Sequence, residues 1–176
     1  PQLNVQYRIP SYLDWLFREN ATVAYLHHRR QLQLAFHQRP TGDRLVLKDP
    51  THTFFVDAIL RVYPNAKFIF IHRCPVETLS SICSLHAYTR SVFSSEVDAV
   101  ELGKELSESY LIHRLESAVE SVDRLLSGRV AHVRARDLSR NAVATIEEAY
   151  RTLGLELGEE ARRAMRAYLS EKDAKR

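Results

Sequence analysis

The chain has 176 residues, of which 45% are apolar and 27% charged, enough for one domain with a core and unlike a disordered segment. Its net charge of +3 suits a small anionic ligand and falls short of the basic stripe of a nucleic-acid binder. Two cysteines, Cys74 and Cys83, form no disulfide framework, and no apolar run reaches membrane-spanning length, so a reduced, cytoplasmic setting is expected.

Without repeats, low-complexity tracts or Gly/Ser linkers, residues 1–176 read as a single domain. Ser11 is placed to cap a short helix over Tyr12 to Arg18. Thr22 to His37 reads as a helix, with Val23, Leu26, Arg30, Leu34 and His37 on one face and Leu26 and Leu34 expected to pack. Arg44 to Lys48 (RLVLK) reads as a short strand. Thr51 to Tyr63 then reads as a helix with Phe55, Ile59 and Val62 inward, and Pro64-Asn65 as a turn. Lys67 to His72 (KFIFIH) reads as a second strand, its continuous apolarity being that of a parallel strand covered on both faces. Pro75 stands where a first helical residue belongs, with a helix expected to about Tyr88.

A long helix is expected over Val97 to Leu126, with Leu111, Leu115, Ala118, Val122 and Leu125 at helical spacing and Gly128 ending it. Glu116 and Arg124 read as its solvated face. Arg129 to Arg134 is a third strand. Val143, Ile146, Tyr150 and Leu153 mark a helix stopped at Gly154, and Glu159 to Leu169 the last one. Alternation of this kind predicts an α/β fold, a parallel sheet flanked by helices.

Ligands of such sheets bind beyond the carboxyl ends of the strands. Arg73 follows directly on the apolar strand and precedes a helix start, which suits phosphate: helix N-termini carry unpaired N–H groups and partial positive charge, and arginine adds a planar fork of donors. Ser81 follows eight residues later, two turns into that helix. Lys48 closes the earlier strand, and His52 opens the next helix, capped by Asp49 or Thr51. Each has a plainer reading: an Arg73–Glu77 ion pair, an ordinary helix serine, a solvated lysine, a half-exposed histidine. The adjacent His27 and His28 point in different directions on a helix and suggest no metal. Cys74 lacks the arginine six residues on that a phosphatase loop requires.

The order L-K-D-P-T-H, a helix, Y-P-N-A-K-F-I-F-I-H-R-C-P, then serine eight after the arginine, resembles the sulfotransferase family, chiefly its broad bacterial branch. Asp137-Leu138 and the L-G-L at Leu153 to Leu155 continue the likeness, which spans roughly residues 44 to 170. The resemblance implies a P-loop-NTPase-like sheet and a sulfuryl donor, 3′-phosphoadenosine-5′-phosphosulfate (PAPS). Arg73 and Ser81 then hold the 3′-phosphate, Lys48 contacts the transferring group and His52 is the general base; no metal is implied. The acceptor is a small molecule, carbohydrate or lipid carrying a hydroxyl or amine. Cys74 stands where Asp or Asn is usual, and Ala135 where the later strand often has tyrosine. The family's G-x-x-R-S-G-T loop for the 5′-phosphosulfate does not occur. With Pro1 as first residue, the chain is expected to be the central and C-terminal part of such a domain. A non-catalytic, degenerate binding module and a P-loop nucleotide kinase are the rival readings; the kinase requires a G-x-x-x-x-G-K-[ST] loop.

Overall fold

The computed structural model describes residues 2–37, 44–107, 113–125 and 127–174. Their contacts gather the chain into two compact units, residues 1–66 with 75–125, and residues 67–74 with 126–176.

The first unit is helical. It begins with α1 (Gln2–Gln6), α2 (Pro10–Arg18) and α3 (Thr22–His37). Pro10, not Ser11, opens α2, as its fixed φ allows at a first helical position. Asn20 Oδ1 accepts from Thr22 N at 3.0 Å at the start of α3. The inward face of α3 is not the expected one. Leu26 is 40% and Leu34 78% exposed, while Tyr25 is buried and His28, Leu32 and Phe36 are partly buried. Both stripes have helical spacing. The one carrying two aromatic rings and a histidine packs, because rings remove the most area from water and their polar atoms find partners there.

The strand expected at Arg44–Lys48 is extended backbone without a ladder. A strand takes its hydrogen bonds from a neighbour, and among the described residues no strand pairs with it; Leu45, Val46 and Leu47 are 45%, 83% and 45% exposed. Lys48 therefore stands on an exposed extended segment rather than at a strand end. The helix expected over Thr51–Tyr63 starts as a 3-10 helix, Pro50–Phe55, and continues as α4, Val56–Val62. Asp49 is the cap: its carboxylate accepts from Thr51 N at 2.7 Å, and its carbonyl from His52 N at 3.2 Å, the i to i+3 bond that tightens this turn. Val56, Ala58, Ile59 and Val62 are buried, each large one contributing about 1.5–3 kcal/mol. They form the centre of this unit, where α4 packs on α3 and on α7 (His113–Leu125), which contributes Ala118 and Val122.

Also in this unit are α5 (Pro75–Ser91) and α6 (Ala99–Glu105). The long helix expected from Val97 begins two residues later because Asp98 caps it, accepting from Val100 N at 2.7 Å and Glu101 N at 3.0 Å. Leu111 lies outside the described residues. Leu115, expected inward with Ala118 and Val122, is 36% exposed.

The second unit holds a two-stranded parallel sheet, β1 (Phe68–His72) and β2 (Val130–Arg134), with Phe68 opposite Val130 and His72 opposite Arg134. Side chains alternate across a strand. Ala131 and Val133 are buried against Ala149 and Leu153, with Ile69, Leu138 and Leu155 packed around them. The opposite face carries Phe70, His72 and His132. The two strands thus bury apolar side chains on one face of this unit, where β1 alone reads as apolar on both. Asp137-Leu138 lies in a short helix, α8 (Ala135–Arg140); α9 (Ala142–Thr152) and α10 (Glu159–Ala174) follow. Gly154 ends α9 at φ +61°. Its N–H donates to Arg151 O and Leu155 N to Tyr150 O, at 2.9 and 2.8 Å, the paired bonds of a Schellman cap, and Leu155 folds back on the core.

Candidate functional site

The four residues that the sequence singles out fall as follows. Lys48 is exposed and His52 half-buried, on the entry to the 3-10 helix in the first unit. Ser81 is exposed on α5 in the same unit. Arg73 belongs to the second unit, in the first position after β1, and is exposed. It makes no ion pair among the described residues. A groove of about 450 Å³ in the second unit, lined by residues that include Glu147, Arg151 and Arg162, contains none of the four.

His52 is the best defined. Its Nδ1 lies 2.8 Å from the Tyr25 hydroxyl. The His28 ring is 6.2 Å away edge-on, and His28 Nδ1 is in turn 2.7 Å from the Tyr63 hydroxyl. Two Tyr–His pairs thus stand side by side where α3 meets the 3-10 helix and the end of α4. Burial pushes the His52 imidazole below its ordinary value; Asp49 opposes the shift and His28 adds to it. Burial would push Asp49 up, but hydrogen bonds from Thr51 and the nearby His52 and Lys48 outweigh it, so this carboxylate sits below the ordinary range. The result is a neutral imidazole at pH 7 beside an ionised Asp49 and the exposed Lys48. His27 is exposed and takes no part.

The sequence did not point to Tyr25, His28 or Tyr63. The available signal was the 25, 28, 32, 36 spacing on α3, which competes with the 23, 26, 34 stripe. A second pair, His72 Nε2 and His132 Nδ1, lies 2.8 Å apart with stacked rings on β1 and β2. Nothing local links residues 60 apart; only the parallel register does. Burial and His132 hold His72 below its ordinary value. His86 is also held low, by burial and then Arg90, against Glu105.

These three histidines fix a pH dependence. Each has a folded value below the unfolded one of about 6.5, so between the two the unfolded chain binds more protons. Full stability is therefore present above about pH 6.5 and is lost as pH falls through the folded values. The urea midpoint should be flat from about pH 8 to about pH 7 and fall by about pH 5.5; a midpoint that rises on acidification contradicts this.

Among the described residues no group of three or more His, Cys, Asp or Glu is placed to hold a metal ion, and no helix is long and apolar enough to cross a membrane.

The fold matches that of a known protein. A crystal structure of sulfotransferase STF1 from Mycobacterium tuberculosis H37Rv superposes with a TM-score of 0.82 at 33% identity, over 95% of this chain and 45% of that one. The α/β fold expected from the sequence is thus that of a sulfotransferase. Omega-hydroxy-beta-dihydromenaquinone-9 sulfotransferase Stf3, from Mycobacterium bovis and from Mycobacterium tuberculosis, is 29% identical over 166 residues, 88% of this chain. The chain spans 41% of the length of these curated relatives. The family model described as Sulfotransferase family matches residues 3–159, nearly the whole chain and all four candidate residues, and the chain belongs to that family.

Proposed function

We propose that this chain is part of one sulfotransferase domain that moves a sulfuryl group from PAPS to an acceptor hydroxyl. The observation that carries the reading is the join at the end of β1: an apolar parallel strand, an exposed Arg73 with no ion pair among the described residues, then a helix opened by Pro75. That donor chemistry fits the nucleotide. Arg73 offers a fork of N–H groups to a phosphate, and the family motif assigns Ser81 a hydroxyl donor to the same 3′-phosphate. PAPS, when bound, supplies the sulfuryl group and a phosphate that departs with negative charge.

The transfer end belongs to the first unit. Lys48 is the cation that offsets charge on the departing phosphate. His52, neutral at pH 7, takes the proton of the acceptor hydroxyl at Nε2. The acceptor we propose is an amphiphilic alcohol. One relative is named for an ω-hydroxylated menaquinone, and the outer side of α3 presents Val23, Leu26 and Leu34 with Trp15 of α2 also exposed. Cys74 and Cys83 form no disulfide among the described residues, which fits a reducing, cytoplasmic setting.

The test is sulfuryl transfer from radiolabelled PAPS to a long-chain primary alcohol by the full-length protein. His52→Ala should lower kcat about a hundredfold or more, the usual scale of general-base loss, and Lys48→Ala should lower it about tenfold to a hundredfold. Wild-type turnover in His52→Ala would remove the base assignment.

A further inference from the structure

We propose that Tyr25 is the positioning residue for His52: it fixes the imidazole ring and accepts a hydrogen bond from Nδ1–H when the ring becomes charged. This rests on the reading of His52 as the base. Tyr25 is buried at 8% exposure on the inward face of α3, and its Oη lies 2.8 Å from His52 Nδ1. A half-buried imidazole with one nitrogen held this way presents the other, Nε2, as its free atom. The two residues are 27 apart in sequence, so the contact is a product of tertiary packing and not of a local turn.

The proton balance shows why a hydroxyl serves here. In the neutral ring one nitrogen carries hydrogen. The Tyr25 hydroxyl satisfies either tautomer, donating to a bare Nδ1 or accepting from Nδ1–H. When the acceptor alcohol gives its proton to Nε2, both nitrogens carry hydrogen, and Nδ1–H must donate. Tyr25 Oη is the acceptor within reach among the described residues. A carboxylate at this place would do the same, but it would also raise the imidazole's affinity for protons and leave it charged before substrate arrives. A neutral hydroxyl orients without charging. The groups around His52 agree with that design: Tyr25 and His28 come from α3, Tyr63 from the end of α4, and Asp49 from the cap of its own helix. Burial of Tyr25, reinforced by Asp49 and Tyr63, keeps the phenol protonated at all working pH values.

The experiment is ¹⁵N NMR of the histidine rings in the protein, with His52 assigned by its absence in His52→Ala, together with steady-state kinetics. In Tyr25→Phe, His52 Nδ1 should lose the ¹⁵N shift of a hydrogen-bonded ring nitrogen. Its titration should move lower, because a hydrogen bond from a charged donor is stronger than one to the neutral ring, so the charged form loses more. The kcat should fall about tenfold with KM for the acceptor unchanged, as expected for a group that acts in the reaction and not in binding. A His52 Nδ1 shift and titration like the wild type in Tyr25→Phe overturn the proposal. So does wild-type kcat in Tyr25→Phe beside an inactive His52→Ala. An active His52→Ala instead overturns the base reading itself. Should Tyr25→Phe fail to fold, 3-fluorotyrosine at position 25 keeps the shape and weakens the oxygen as an acceptor. The same downward movement of the His52 titration is then expected, and its absence overturns the proposal equally.

Discussion

Replacing Arg73 with alanine is expected to weaken binding of 3′-phosphoadenosine-5′-phosphate about a hundredfold or more. Hydrogen bonds between charged groups contribute about 1.5–3 kcal/mol each, a guanidinium engages a phosphate with two of them, and about 1.4 kcal/mol is a factor of ten. Arg73→Lys should recover only part of the loss, since an ammonium carries the charge but not the fork. Ser81→Ala, which removes one neutral donor, should cost about tenfold or less. Ser80→Ala serves as the neighbouring control. Equal affinities for the wild-type and Arg73→Ala proteins would remove Arg73 from the nucleotide site. Arg73 is exposed, so its loss should leave the fold unchanged.

The second large effect concerns stability. Arg90 of α5 and Glu105 of α6 form a forked ion pair, with guanidinium nitrogens 3.0 and 2.8 Å from the two carboxylate oxygens, and side chains only 7% and 11% exposed. Arg8 approaches Glu105 to 3.4 Å from the outer side. The bonds from Arg90 outweigh the penalty of burial and hold the Glu105 carboxyl below its ordinary range. The pair ties the C-terminal half of α5, the helix that carries Ser81, to α6. Glu105→Ala would remove both charge-assisted bonds to a buried guanidinium, and should cost about 3–5 kcal/mol. Arg90→Met with Glu105→Leu should cost far less than either single change, because the burial penalty of both charges disappears together. Urea denaturation of the three variants checks this. A single variant that loses under about 1 kcal/mol would show that solvent screens the pair.

Much of the second unit was legible in the sequence. KFIFIH and RVAHVR are short apolar runs flanked by turn residues, and both form strands, because they pair with each other. RLVLK has the same local character and forms none. Backbone pairing is a property of two segments, and one segment's composition does not contain it. The α3 face illustrates a related limit: two stripes share the period, and the choice between them is made by what α4 and the 3-10 helix present to it. Asp49 was one of two possible caps, and geometry selects it because its carboxylate reaches Thr51 N.

The candidate site divides in the same way. Arg73 and Ser81 follow from a strand, a proline at a helix start and a serine at fixed spacing, all local signals. The surroundings of His52 were not legible, since Tyr25 and His28 reach it only through packing of α3. The Arg90–Glu105 pair was hidden for the opposite reason. Charged residues on a helix read as a solvated face, which Glu116 and Arg124 obey and Glu105 does not. Burial of a charge is decided by its partner, here 15 residues away.

The most direct test of the account is calorimetric titration of this chain with 3′-phosphoadenosine-5′-phosphate and, in parallel, with adenosine-5′-phosphate, which lacks the 3′-phosphate. Saturable binding of the first, much weaker binding of the second, and loss of that difference in Arg73→Ala are the predicted results. Equal binding of the two nucleotides by the folded protein, or a preference that survives in Arg73→Ala, would contradict it.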